Sequence, residues 1–236
     1  MTLYSTCPVR IRAICFDLDN TLWDVWPVIR NAEQAMYEYL QQRYPRVVAA
    51  LTIEAMRQAR EQTAAKYPLM KHDFTFLRKQ TLREHAQEFG YAECMVEEAF
   101  DVFIQARNKV EFYGDVLPGL NQLRSTFRLF SASNGNADLE QIGLAGYFER
   151  SVSARMVGAL KPDPMIFHKS IEGTDLRPEE VVYVGDDPLL DVVGARHAGM
   201  HPVWIDRLGE AWPADLEPPL HTVKSVTELA TWLGNT

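Results

Sequence analysis

The sequence predicts an α/β fold, a parallel sheet with a helical insert, and three observations lead there. Short apolar runs with β-branched and aromatic members recur, each closed by small or polar residues and then mostly by a helical pattern. One long interval, about 27–112, carries helical patterns and no convincing strand. The balance of 47% hydrophobic and 24% charged residues over 236 positions is that of an ordinary globular protein. A chain of this length buries roughly 70–75% of its unfolded surface, so it needs no metal or disulfide to fold, and a bound metal would serve chemistry.

Taken in order, residues 11–18 read as a buried strand that ends in Asp19-Asn20-Thr21. Four helical patterns follow, at about 27–44, 52–67, 74–89 and 92–111, separated by the breakers Pro45, Pro68 and Gly90. The chain returns at residues 113–119, where Pro118 suits the opening of a helix. Further buried strands are expected at 130–133, 181–184 and 202–205, and Ser225 can cap a last helix to Leu233. Strands alternating with helices imply a parallel sheet covered on both faces, with its ligand site beyond the carboxyl ends of the strands. The expected division is a catalytic core of residues 1–22 and 113–236, interrupted by a helical domain at 23–112.

The charge excludes some partners. With 32 acidic and 24 basic residues the net charge is −8, which disfavours nucleic acid and anionic membranes. Cys7, Cys15 and Cys94 are odd in number and form no Cys-x-x-Cys pair, so neither a disulfide framework nor a structural zinc site is expected. There is no signal-like apolar stretch at the N-terminus and no run of about 18 apolar residues. A cytoplasmic monomer or homodimer acting on a small molecule is the expectation.

The acids carry the chemistry. Asp17 and Asp19 lie two apart on a strand end and project to one face. At about 4 Å and an effective dielectric of 20 they would repel by roughly 4 kcal/mol, so something must offset them. Either aspartate alone is also explained as a turn or cap residue. More acid stands in Gly185-Asp186-Asp187-Pro188-Leu189-Leu190-Asp191, again after a hydrophobic strand. A helix start could account for Asp187 and Pro188, but not for acids at two converging strand ends. Carboxylates with several waters are the ligands Mg²⁺ prefers, whereas zinc favours His or Cys. Ser133-Asn134-Gly135-Asn136 offers a hydroxyl and backbone N–H groups to an anionic oxygen, and is equally a common turn. Lys161 precedes Pro162, which keeps it out of the helical region and fixes its backbone.

Those four pieces in this order, Asp17-Leu18-Asp19-Asn20-Thr21, Ser133-Asn134, Lys161-Pro162 and Gly185-Asp186-Asp187 with Asp191, closely resemble the haloacid dehalogenase superfamily. The resemblance spans nearly the whole chain, and the insert looks like that family's first cap type, a four-helix bundle. Residues 133–137, 146–149 and 194–200 look most like flavin mononucleotide phosphatases and their relatives. The resemblance implies that Asp17 is a nucleophile forming an aspartyl-phosphate and that Asp19 is a general acid and then base. It implies that Asp17, Asp186 and the backbone carbonyl of Asp19 hold Mg²⁺ with support from Asp187 or Asp191. Thr21, Ser133, Asn134 and Lys161 would bind the phosphoryl oxygens of a small phosphomonoester. The family's dehalogenases lack an acid at the position of Asp19 and need no metal, so the resemblance favours a phosphatase over a dehalogenase. A phosphomutase or a non-catalytic phosphate-binding module is the alternative. Trp23 and Trp26 could stack on an aromatic substrate or simply pack, and Lys71, His72 and Asp73 could face the site or solvent.

Overall fold

The structure is a computed structural model that describes residues 10–234; Cys7 lies outside them. Six strands, β1 (Ala13–Phe16), β2 (Arg128–Ser133), β3 (Arg150–Ser153), β4 (Val181–Gly185), β5 (His201–Ile205) and β6 (His221–Val223), form one sheet in the order β3-β2-β1-β4-β5-β6. Every pairing is parallel. In chain order the helices are α1 (Val25–Arg43), α2 (Pro45–Ala50), α3 (Ile53–Lys66), α4 (Phe74–Glu88), α5 (Cys94–Arg107), α6 (Val116–Leu123), α7 (Leu139–Ile142), α8 (Ala154–Val157), α9 (Pro164–Ile171), α10 (Gly194–His197) and α11 (Val226–Gly234). A π-helical segment, Pro188–Val193, follows β4.

The chain winds outward from β1 in both directions, so the strand order reverses there and a crevice opens at the carboxyl ends of β1, β2 and β4. Phe16 is opposite Ser131 on one side and Val184 on the other, which sets the residues after the three strands side by side. All positions of β1 and β4 are buried, as central parallel strands require, and this is why they read as continuous apolar runs. Cys15, Phe130, Phe167 and Tyr183 belong to the core on one side of the sheet. The two edge strands were not expected: Arg150-Ser151-Val152-Ser153 and His221-Thr222-Val223 each bury only one residue fully, so they lack an apolar run. Ser225 does cap α11, accepting the Glu228 N–H at 3.0 Å.

Two units are distinguishable. The sheet unit takes the described residues to Trp23, Phe112–Asn134, and the chain from Leu144 on; the helical unit takes Asp24–Glu111 and Gly135–Gly143. Trp23 and Phe112 stand with the sheet because their backbones form an antiparallel bridge and their rings lie 6.1 Å apart. The Tyr113 N–H donates to the Leu22 carbonyl at 3.1 Å just beside them. The segment Gly135–Gly143, expected in the core, differs: Asn108 accepts the Asp138 N–H and donates to Gln141, and Asn136 donates to Thr75, all within the helical unit.

Within the helical unit α1 packs on α5, and α4 packs on both α5 and α3. Met36, Leu40, Leu82, Met95 and Phe103 are buried between them. Asp24, Thr52 and Asp73 cap α1, α3 and α4. Pro45 ends α1 as expected but also opens the short α2, since a first-turn proline forgoes an N–H that would have had no helical partner.

Candidate active site

The carboxyl end of β1 delivers Asp17 into the crevice, where it is 5% exposed. Lys161 reaches it from the loop before α9, its Nζ 2.5 Å from Asp17 Oδ1 and 2.6 Å from Asp191 Oδ1. Asp186, after β4, completes a group of three carboxylates whose oxygens lie within 4.8 Å of one another: Asp17, Asp186 and Asp191. The Thr21 hydroxyl sits between two of them, 3.4 Å from Asp17 Oδ2 and 3.2 Å from Asp186 Oδ1. A hydroxyl has one proton, so it can donate to only one of these oxygens at a time.

Each member is held by something behind it. Asn134 at the end of β2 grips the backbone of Lys161 twice, accepting its N–H at 2.7 Å and donating to its carbonyl at 3.3 Å. Gly194 lies against the same segment; a Cβ there would come within 2.8 Å of the Phe167 ring and 3.1 Å of Pro162 Cα. Asp191 accepts the Asp187 N–H at 2.9 Å and lies 3.3 Å from the Tyr183 hydroxyl. The Trp204 indole donates to the Asp186 carbonyl at 2.7 Å. Arg207, just past β5, donates to the Thr21 carbonyl at 2.7 and 3.2 Å and to Asp115 Oδ1 at 2.7 Å. Three N–H groups of one planar guanidinium thus hold the loop after β1 to the point where the chain re-enters the sheet unit.

Burial sets the electrostatics. It pushes Asp17 well above the usual carboxylate range; Lys161 pulls it back, while Asp191 and Asp186 push it further up. Burial and then repulsion from Asp191 lift Asp186 to about 7. Burial would lower Lys161, but the attraction of Asp17 and Asp191 outweighs it and holds the ammonium above its ordinary value. Three carboxylates against one ammonium leave two negative charges in excess when all are ionised. A hard divalent cation fits this donor set: its charge cancels that excess, the ligands are oxygens, and no His or Cys belongs to the group.

The residues singled out in the sequence meet here unequally. Asp17, Thr21, Lys161, Asp186 and Asp191 converge, and Ser133 is buried at the end of β2. Asn134 spends both side-chain groups on Lys161. Asp187 caps the π-helical segment, accepting from the Leu189 and Leu190 N–H groups at 2.8 Å each. Of Asp187 and Asp191, it is Asp191 that joins Asp17 and Asp186. The Asp19 side chain lies outside the group of three and accepts from the Trp23 indole at 2.8 Å. Trp23 is fully buried on Asp19 and Phe112, so the idea that it stacks on a substrate is corrected; Trp26 is 67% exposed.

A profile of the haloacid dehalogenase-like hydrolases matches residues 11–199 of this chain. The chain belongs to that family. Among these hydrolases it is 30% identical, over 89% of its length and 92% of the relative's, to the 5-amino-6-(5-phospho-D-ribitylamino)uracil phosphatase YigB of Escherichia coli (strain K12). It is 29% identical to the N-acylneuraminate-9-phosphatase of Rattus norvegicus, covering 95% of this chain and 94% of that one. Among solved structures, a 2-haloacid dehalogenase from Pseudomonas syringae pv. Tomato DC3000 superposes with a TM-score of 0.90 at 33% identity, covering 95% and 99% of the two chains.

Arg207, Tyr183 and Trp204 were not singled out by sequence reasoning. Arg207 had a signal, since it follows an apolar strand of a parallel sheet as Asp19 and Asp186 do. Tyr183 and Trp204 act from inside strands, where aromatic residues read only as core.

Proposed function

We propose that this hydrolase is a Mg²⁺-dependent phosphatase that cleaves a small organic phosphomonoester through an aspartyl-phosphate on Asp17. The observation that carries this reading is the group of Asp17, Asp186 and Asp191, two of them buried, with the Lys161 ammonium among them, which leaves a deficit of two positive charges among oxygen ligands that suits Mg²⁺. Asp17 and Asp186 would hold the ion with the backbone carbonyl of Asp19, and Asp191 would support it through Lys161. Bound there, Mg²⁺ supplies positive charge against the phosphoryl oxygens.

The rest falls to the chain's own residues. An Asp17 oxygen attacks phosphorus as the ester P–O bond breaks, and the departing alkoxide takes a proton from the Asp19 carboxyl. Asp19, now ionised and held in place by the Trp23 indole, takes a proton from the water that attacks the acyl phosphate, which frees inorganic phosphate and restores Asp17. Lys161, Thr21, Ser133 and the loop held by Asn134 orient the phosphoryl group. Asp19 also supports phosphate over halide chemistry: a halide leaves without a proton, and the family's dehalogenases have no acid at this position. The named activities of the two phosphatase relatives suggest a phosphate ester on a sugar or sugar-alcohol chain, a class that includes flavin mononucleotide.

The test is a screen of phosphate release from an aryl phosphate, flavin mononucleotide, nucleoside monophosphates and sugar phosphates, run with and without chelator, beside halide release from a 2-haloacid. The reading expects chelator-sensitive phosphate release that Mg²⁺ restores. Metal-independent halide release without phosphatase activity would overturn it.

A further inference from the structure

Three helices of the helical unit, α1, α3 and α4, leave a cleft between them whose charges do not balance. Among the described residues Glu33 on α1, 3% exposed, is the one acid lining it, and Arg57 and Arg60 on α3 and Arg78 on α4 surround that acid. Arg57 Nε satisfies Glu33 Oε2 at 2.6 Å. Glu33 Oε1 stands 3.6 Å from Arg60 and 3.8 Å from Arg78, beyond hydrogen-bond distance, so two of the three guanidiniums keep unspent donors there. Arg57 also donates to Glu54 Oε2 at 3.0 Å, so two carboxylates meet three guanidiniums and one positive charge is left in excess.

The inner wall of the cleft makes the same demand. Arg78 is nine-tenths buried with its guanidinium 3.6 Å above the Phe103 ring. Burial, then repulsion from Arg60, lower it to about 9, which leaves it charged at neutral pH. His85 on α4 lines the cleft at 4% exposure, and neither of its ring nitrogens has a hydrogen-bond partner among the described residues; Glu88 is 4.0 Å away. Buried polar atoms are nearly always paired, so an imidazole left this way beside unspent guanidinium donors marks a place for an acceptor. The Thr81 hydroxyl, which also lines the cleft, turns its one proton toward the Leu77 carbonyl at 2.8 Å, with the Thr63 hydroxyl 3.1 Å away, and makes no hydrogen bond to His85.

The geometry points to a binding site for a small oxyanion, a phosphate or a carboxylate group, between α1, α3 and α4, held by Arg60, Arg78 and His85. An oxyanion offers only acceptors, carries the missing charge, and matches the planar fork of arginine. The cleft encloses about 350 Å³ counting its open mouth, with about 20 Å³ left for a water-sized group. That admits one oxygen as it stands. The side chains of Arg57 and Arg60 are 35% and 31% exposed, so they can swing outward to admit the rest of the anion. None of these residues belongs to the carboxylate group around Asp17.

The His85 ring serves as a local reporter. In the ¹⁵N-labelled full chain, with its resonances assigned by His85→Gln, inorganic phosphate, succinate and sodium chloride are titrated at matched ionic strength. Phosphate or succinate is expected to shift the His85 ring nitrogens saturably while chloride does not. Arg60→Gln should raise the half-saturating concentration about tenfold, the loss of one charge-assisted hydrogen bond. Tighter binding of phosphate assigns the site to phosphate esters, and tighter binding of succinate to carboxylates. None of Arg60, Arg78 and His85 belongs to the Asp17 group, so a His85 response weakened by Arg60→Gln reports this site, and failure here is separable from failure of the phosphatase reading. A His85 signal indifferent to both oxyanions, equally moved by chloride, or unchanged in its half-saturation by Arg60→Gln would overturn the site.

Discussion

Gly185 and Asp191 stand so close that a Cβ on the glycine would lie 2.2 Å from the carboxyl carbon of Asp191. The carboxylate folds back against the end of β4, and only there does it meet both Lys161 and the Asp187 N–H. Gly185→Ala must therefore displace Asp191 or the strand. The expected cost is about 1–3 kcal/mol of stability from overpacking, with a larger proportional loss of turnover because Lys161 loses a partner. Denaturant unfolding and phosphate release on the same sample check both.

Lys161→Met removes the cation that pairs with the buried carboxylates of Asp17 and Asp191. Breaking a buried ion pair from one side typically costs about 3–5 kcal/mol. The variant should fall in stability by that order, and Mg²⁺ should restore more of its stability than it adds to the wild type. Thermal unfolding with and without Mg²⁺ measures the difference.

Asp17→Asn is nearly isosteric and cannot act as a nucleophile. Turnover should fall by about 10⁴-fold or more with the fold intact. Asp19→Asn should be severely impaired, yet with a good leaving group it should accumulate phosphate on the peptide containing Asp17, visible by mass spectrometry. Near-wild-type phosphate release by Asp17→Asn, with deamidation excluded, would falsify the covalent mechanism.

Arg207 holds the Thr21 carbonyl and Asp115 at once. Arg207→Met should remove about 1.5–3 kcal/mol of charge-assisted bonding and loosen the loop that carries Asp19 and Thr21. Lysine cannot span both partners with a planar fork, so Arg207→Lys should rescue only part of kcat. Full rescue by lysine would mean that charge alone matters at this position.

The burial of His85 lowers its pKa below 6.5, with Glu88 and Glu84 opposing. Well above pH 6.5 the ring is neutral whether folded or unfolded and contributes no pH dependence. As the pH falls through 6.5 the unfolded chain takes a proton that the folded chain resists, so stability is lost toward the depressed folded value. The unfolding temperature of the wild type should drop more between pH 7.5 and 5 than that of His85→Leu.

What could be read in advance followed from burial. β1, β2, β4 and β5 are interior strands, and an interior parallel strand must be apolar on both faces, so it announces itself as a run. Edge strands bury one face at most, and β3 and β6 are indistinguishable from turns without their neighbours. In the site, Asp17, Lys161 and Asp186 were legible because acids and a proline-fixed cation are conspicuous at strand ends. The division of labour between Asp187 and Asp191 was not, since it rests on the π-helical path of Pro188–Val193, which turns Asp191 inward and leaves Asp187 to cap. The place of Asn134 was hidden as well, because its two bonds go to the backbone of a residue far along the chain.

Leu22 and Tyr113 are hydrogen-bonded neighbours, so the stem from which the helical insert springs is already closed. To the sheet, everything between Asp24 and Glu111 is one loop whose ends have been brought together, and the entropy of closing a loop grows only by about 0.6 kcal/mol for each doubling of its length. The insertion point is in that sense a socket. Inserts of different size or sequence that meet the same stem, and that hold Gly135–Gly143 as Asn108 and Thr75 do, can be exchanged there with little thermodynamic penalty to the sheet.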